Sequence, residues 1–418
     1  MTCALEKGLT AFRTEQPLPA YSGVTVWAFH PLRVVTGKRR LRPGSIAWPD
    51  LLGYDRRCMI ADIAEKLETG KRLSLEDGIR LFEHPDLLAV GALANRQRER
   101  RHGDLTYYNF NIRIEATNVC VASCLFCSFA RLRPGDPGSY TMALEDAWEK
   151  LRTRHDQALT EVHVVNGLHP DLPFEYYLEL LRGFKRIRPE VHLKCFTAVE
   201  IAFFADLYGM SDEQVLRELM LAGLASLPGG GAEVFAERVR KKICHDKADA
   251  DRWLSIHRIA HRLGMKSNVT MLYGHIETNE ERVDHMLRAR ALQDETGGFQ
   301  AFIPLAFHPD NNQMRKLPAP NGSDTLRVHA VSRLMLDNIP HVKAFWIATG
   351  VEMAQTALWF GVDDLDGTVQ EEKIYHMAGS QTPEALSTGD IERLILAAGR
   401  VPVERDTFYN VVRAAASA

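Results

Sequence analysis

No apolar run in this chain of 418 residues is long enough to cross a bilayer as a helix. The amino terminus, MTCALEKGLTAFRTEQ, likewise lacks the continuous apolar core of a secretory signal, so a cytoplasmic protein is expected. An excess of one sign of charge is also missing, since 51 Lys and Arg face 54 Asp and Glu for a formal net charge of -3. That balance offers no bulk electrostatic hold on nucleic acid or an anionic membrane, which leaves a small molecule as the expected partner. Cysteine is scarce, with seven in the chain. In a reducing compartment these are not expected to form a disulfide framework, and thiols that cluster become candidates for metal or redox chemistry. What is present, 45% hydrophobic and 25% charged residues, is ordinary globular composition, enough for one large barrel or two smaller domains.

Along the chain the pattern predicts four parts. Residues 1–57 mix basic residues with turn formers, as in HPLRVVTGKRRLRPG, and read as a poorly ordered extension. Residues 58–104 carry helical periodicity through Ile63, Leu67, Leu75, Ile79 and Phe82, and end in the run RQRERR, expected to be a solvated helix face. Residues 105–375 alternate short β-rich runs with amphipathic helices, and residues 376–418 are expected to be helical. The strand candidates are YNFNIRIE, EVHVV, VHLKCFTA, LASL, SNVTMLY, FQAFIPLAF, VKAFWIA and a last one near VDDLDG. Eight strands with intervening helices predict an α/β fold of the (β/α)8 TIM-barrel type. Ser211 with Gln214 and Thr278 with Glu281 have capping-box spacing, and Gly223 and Gly264 stand where helices close.

In such a barrel the functional groups sit on the loops after the strands. The loop after the first strand reads EATNVCVASCLFCSFAR and holds Cys120, Cys124 and Cys127 in a C-x3-C-x2-C spacing. Three thiolates from one loop suit an iron–sulfur cubane that keeps one iron without a protein ligand. A zinc site completed by a distant histidine is the alternative, although zinc sites usually show paired C-x2-C units or a histidine pair, and neither is present. Cys3, Cys58, Cys195 and Cys244 are scattered and need no role beyond that of small buried hydrophobes.

This loop, with Phe126 just before its last cysteine, resembles that of the radical S-adenosylmethionine superfamily. The resemblance implies a 4Fe-4S cluster on Cys120, Cys124 and Cys127, with S-adenosylmethionine chelating the fourth iron through its methionyl amine and carboxylate. One electron from an external reductant would then yield a 5′-deoxyadenosyl radical. The segments NGLHPDLPFEYY, FTAVEI, LPGGGAEVF, MLYGHIET, FIPLAFHP and GVDDLDGTVQEEKIYHMAGS are similar to the aminodeoxyfutalosine synthase family of the futalosine route to menaquinone. Related families, the cyclic dehypoxanthinylfutalosine synthases and the deazaflavin synthase components, share the barrel and the cysteine motif. The implied reaction joins the deoxyadenosyl group to 3-[(1-carboxyvinyl)oxy]benzoate, a small molecule with two carboxylates, so that S-adenosylmethionine is consumed as a co-substrate. A non-catalytic metal-binding or redox-sensing barrel is the reading from a different class.

Further site expectations follow. Family members generally show Gly-Gly where this chain has Asn166-Gly167, so Asn166 is expected to be strained toward a left-handed conformation beside the cofactor. Glu200 is expected either to accept from ribose hydroxyls or simply to start a helix. His275, His169 and His308 all follow strands and could donate to substrate carboxylates, with His275 the foremost because Tyr273 and Gly274 leave room beside it. Gly230, within the run Gly229–Gly231, could cradle adenosine or make a turn. Asp363, Asp364 and Asp366 read as a capping and loop network near the substrate, without the spacing of a calcium loop. Trp253, Ile256, Ala260 and Leu263 form an apolar stripe expected to face the core.

Overall fold

The computed structural model describes residues 60–414, so the expectations for residues 1–57, Cys3 and Cys58 lie outside the described residues. Eleven strands occur among them: β1 (Leu105–Asn109), β2 (Asn111–Ile114), β3 (Glu161–Val164), β4 (His192–Cys195), β5 (Ser226–Leu227), β6 (Lys266–Tyr273), β7 (Phe299–Ala306), β8 (His341–Val342), β9 (Asp364–Gly367), β10 (Val401–Arg405) and β11 (Val411–Ala414). Strands β2 to β8 form one seven-stranded sheet in sequence order, every neighbouring pair parallel. Sequential parallel strands joined by helices curl in one hand, which makes this sheet the expected α/β barrel wall. The long strands are buried on both faces, as the continuous apolar runs of β6 and β7 require.

The eighth strand position is filled differently from a plain repeat. β9 has its main partner in β1, and it meets the two edges of the seven-stranded sheet through isolated parallel bridges, Lys343 with Asp364 and, just beyond β9, Ile112 with Gln370. YNFNIRIE, which reads as one strand, breaks at Phe110 into β1 and β2, and these belong to separate sheets. The carboxyl-terminal segment also departs from the helical expectation. After the helix Thr388–Ala397 it supplies β10 and β11, which extend β1 and β9 into a four-stranded sheet. Both strands are short and mix charged with apolar residues, so no period marks them until β1 supplies a partner.

Helices α1 (Ala61–Glu68), α2 (Leu75–Glu83) and α3 (Leu87–His102) precede the barrel as expected. The run at the end of α3 is not wholly a solvated face. Arg98 is fully buried and donates to the carbonyls of Val362 (3.3 Å) and Leu105 (2.6 Å) and to the Thr106 hydroxyl (2.7 Å). Arg101 reaches the carbonyls of Ile339 and Asp337, so two of the four arginines in the run pin α3 onto the barrel. Capping boxes form at Ser211 and Thr278, and Gly223 and Gly264 adopt the positive φ expected of them. Trp253, Ile256 and Ala260 are buried in the core, as their spacing predicts.

The floor of the barrel is closed by the chain's own tail. Beyond β10, Thr407 donates to Glu161 at the start of β3 (2.8 Å), and Gln300 at the start of β7 donates to the Thr407 carbonyl (3.0 Å). Tyr409 stacks on His341 with ring centroids 3.5 Å apart, and Phe408 meets His192 edge-on at 4.8 Å. Beside this plug lies a buried ionic network. Asp363 takes Arg333 and His341 at once, with His102 a further 3.4 Å neighbour. His102, His341 and Asp363 come close enough together to ligate an ion, but the Arg333 guanidinium already supplies the positive charge at that carboxylate. Among the described residues no helix is long and apolar enough to cross a membrane.

Candidate functional site

The loop after β2 is pinned from several sides, which fixes where its thiols point. Cys120 N–H donates to the Arg131 carbonyl (2.8 Å), Val121 N–H to Leu168 (3.0 Å) and Leu125 N–H to Ile243 (2.9 Å). Asp246 accepts from both the backbone and the hydroxyl of Ser123 (2.9 and 2.5 Å). Cys120, Cys124 and Cys127 all line one large cavity at the carboxyl ends of the strands, and all are free thiols. Their spacing favours a cluster over a single zinc ion. Ligands of one zinc ion at about 2.3 Å in a tetrahedron lie about 3.8 Å apart, yet the three sulfurs do not gather within 4.8 Å of one another. A cluster that takes each thiolate on a different iron suits the wider spacing.

Beside the thiols, Phe126 lines the cavity and the Lys247 ammonium sits 5.2 Å from its ring centre. Burial disfavours the charge on Lys247, but Cys124 and Glu233 outweigh it, and the ammonium is held above its usual range with Glu233 at 2.5 Å. Asn166 is not in the strained conformation that the sequence suggests, for its φ is not left-handed. Its side-chain oxygen instead accepts from Ala116 N–H (2.7 Å), tying the end of β3 to the root of the cysteine loop, while its Nδ2 is buried without a partner beside the cavity. The departure from glycine therefore adds a brace. The position that admits no side chain is Gly167, where a Cβ would stand 2.2 Å from the Val119 carbonyl oxygen. We expect Gly167→Ala to push the cysteine loop aside and to lower iron uptake on reconstitution severalfold, read by iron and sulfide assay; full loading would show that the loop yields without cost.

Glu200 starts a helix, as one of its two readings expects, and it does so from the cavity wall. It lines the cavity and also closes the capping box of the helix Ala198–Tyr208, accepting from Thr197 N–H (2.7 Å), the Thr197 hydroxyl (2.9 Å) and Asn166 N–H (2.9 Å). Burial pushes its carboxyl up to about 7 against the pull of those donors. Gly230 lines the cavity opposite Thr197 and offers its carbonyl to the Trp253 indole (3.1 Å), so the glycine run is a turn that also walls the site. Asp366 lines the cavity, while Asp363 and Asp364 face the ionic network below it.

The three histidines separate. His308 lines the cavity, its Nε2 held by the Ala348 carbonyl (2.8 Å) and its ring edge-on to Tyr375. His275 does not line it. The side chain is fully buried, Nε2 bonds the Leu272 carbonyl (3.0 Å) and Nδ1 accepts from Ile276 N–H (2.7 Å), so both nitrogens are spent inside its own loop. His169 also faces elsewhere, with Nδ1 accepting from Asp171 N–H (3.1 Å). Residues missed in the sequence are Arg113, Glu115, His163, Glu233, Lys247, Asn268, Thr270, Glu372 and Tyr375, all on the cavity wall. One signal was available in NIRIE, where polar residues alternate with isoleucines in a strand whose neighbours are buried on both sides. Glu233 and Asp366 both line the cavity with left-handed φ of 46° and 67°, backbone strain of the kind that gathers at functional sites.

Comparison with known proteins agrees with this geometry. The radical SAM superfamily profile matches residues 114–289, and the CofH/MqnC C-terminal region matches residues 296–417. The chain is 51% identical to an aminodeoxyfutalosine synthase of Thermus thermophilus over 84% of its own length and 95% of that protein. It is 47% identical to an aminodeoxyfutalosine synthase of Streptomyces coelicolor, covering 84% of the chain and 94% of that protein. Identity is 41% to a 5-amino-6-(D-ribitylamino)uracil–L-tyrosine 4-hydroxyphenyl transferase of Methanopyrus kandleri, over 87% and 98% of the two chains. Among solved structures, methylornithine synthase shares the fold with a TM-score of 0.65 at 16% identity, over 81% of this chain and 97% of its own. A pinned three-thiol loop at the open end of a parallel barrel, matched over most of its length by these relatives, means that the chain belongs to the radical SAM superfamily, whose enzymes use a 4Fe-4S cluster and S-adenosylmethionine.

Proposed function

We propose that this enzyme joins the 5′-deoxyadenosyl group of S-adenosylmethionine to 3-[(1-carboxyvinyl)oxy]benzoate, with aryl migration and loss of carbon dioxide, to give 6-amino-6-deoxyfutalosine for menaquinone synthesis. The observation that carries this reading is the 51% identity to an aminodeoxyfutalosine synthase along 95% of that protein. Cys120, Cys124 and Cys127 would hold the cluster. When bound and reduced by an external one-electron donor in the cytoplasm, the cluster and S-adenosylmethionine supply the adenosyl radical. The protein itself binds, orients and excludes water. Val199, Leu272, Ile303, Leu305 and Phe345 make much of the cavity wall apolar, and Glu200 with the glycine run offers acceptors and open backbone at the nucleotide end. Of the three predicted histidines, His308 is the one on the cavity wall, which supports it as the group that would meet the substrate.

The test follows the adenosyl carbon. The related hydroxyphenyl transferases and cyclic dehypoxanthine futalosine synthases would use the radical to abstract hydrogen and would release free 5′-deoxyadenosine. Adenosyl-labelled S-adenosylmethionine, reduced enzyme and the dicarboxylate should place the label in aminodeoxyfutalosine, with methionine and bicarbonate as the other products. Label recovered only as 5′-deoxyadenosine, with dehypoxanthine futalosine or tyrosine plus the ribitylamino-uracil converted instead, would leave the superfamily standing and overturn this reaction.

A further inference from the structure

Below the cavity lies a buried ionic network that reaches the cavity wall through Arg113 and Asp366. Four buried or nearly buried cations, Arg113, Lys194, Lys343 and Arg405, face three paired carboxylates. Glu161 takes Lys194 (2.6 Å) and Asp364 takes Arg405 (2.7 Å), while Asp366 is shared by Lys343 (3.0 Å) and Arg113 (2.9 Å). Of the Arg113 nitrogens only Nη2 finds a protein acceptor, and Nε is buried without one. Two residues along the same strand direction stands Glu115, 3% exposed, whose Oε2 is likewise buried without a partner. Residues two apart in a strand share a face, and both side chains line the cavity.

A guanidinium fork with only one nitrogen engaged by protein, beside a buried carboxyl oxygen that no protein group satisfies, is the recognition chemistry of a carboxylate. We infer that Arg113 and Glu115 form the subsite for the ring carboxylate of the substrate, an assignment that rests on the function proposed above. The other carboxylate is bonded to the carbon next to the reacting vinyl group, which must approach the adenosyl carbon near the thiols. Arg113 lies farther from the cysteine loop along β2, so the group that reaches it is the one at the remote end of the ring. Glu115 takes part as a neutral acid, donating its proton into the carboxylate. Burial and the charge of Glu372 push its carboxyl up to about 8, against the opposing charges of Arg113 and Lys373, and the Tyr140 hydroxyl engages only its backbone carbonyl.

The experiment is equilibrium calorimetry on cluster-loaded enzyme without reductant, so that binding is read without chemistry. The wild type should bind 3-[(1-carboxyvinyl)oxy]benzoate at least about tenfold tighter than 2-phenoxyprop-2-enoate, which lacks only the ring carboxylate. Arg113→Met should erase that preference by weakening the first ligand and sparing the second. Arg113→Lys, which keeps the charge opposite Asp366, should retain only part of it. Glu115→Gln, a neutral donor of the same shape, should keep the preference at pH 7. Between pH 7 and 9 the wild type should lose preference as Glu115 ionises, and the Gln variant should not. A preference that survives in both Arg113 variants, or equal weakening of both ligands, overturns the subsite while leaving the reaction intact. A wild type with no preference at all, and no label transfer in the test above, overturns the reaction and the subsite together.

Discussion

Replacing any one of Cys120, Cys124 or Cys127 with alanine is expected to reduce cleavage of S-adenosylmethionine to background. The three thiols come from a single pinned loop and face one cavity, so they act as a set, and a cubane held by two ligands is open at two irons. The matching control is Cys195→Ala. Cys195 ends β4 in full burial and outside the cavity wall, where its loss leaves a small void and removes no donor. Iron and sulfide content, visible absorption that bleaches with dithionite, and methionine release should all fall in the first three variants and stay near wild type in the fourth. Normal turnover in any member of the triple would remove the cluster assignment, and a colourless but active protein would revive the zinc reading.

The second large effect is on folding. Asp363 is fully buried and takes Arg333, itself fully buried, together with His341. Asp363→Ala would strand that guanidinium, and removal of one partner from a buried pair costs about 3–5 kcal/mol. Urea unfolding followed by far-ultraviolet circular dichroism checks it, and a loss below about 1 kcal/mol would show that the pair is dispensable. The pH dependence has a definite sign. Burial pushes the Asp363 carboxyl up, but Arg333, His341 and His102 outweigh it and hold the group far below its ordinary range. A carboxyl depressed in the folded state contributes stability above its unfolded value, near pH 4, and that contribution drains away as pH falls further. Wild-type stability should therefore decline below about pH 4 in a way the Asp363→Ala variant does not share.

Much of this architecture is legible from local pattern. Strands such as SNVTMLY, buried on both faces, announce a parallel barrel because nothing else buries them. The cysteine triple is legible because its three thiols lie in one loop and line one cavity, so sequence spacing stands for spatial spacing. The histidines were harder. Position after a strand places a residue at the open face, but His275 and His169 turn their nitrogens to backbone within their own loops, a choice made by a few local hydrogen bonds. Arg113 and Glu115 were hidden for the opposite reason. They point inward from a strand whose isoleucines take the other face, so a search for the apolar face reads past them. Strand β10 depends on β1, about 300 residues away in sequence, and β11 depends on β10 in turn, so no local period can announce them.

The tail packs Thr407, Phe408 and Tyr409 against the strand beginnings, at the end of the barrel away from the cysteine loop. A loosened tail would therefore disturb the strand beginnings before it reached the thiols at the opposite ends.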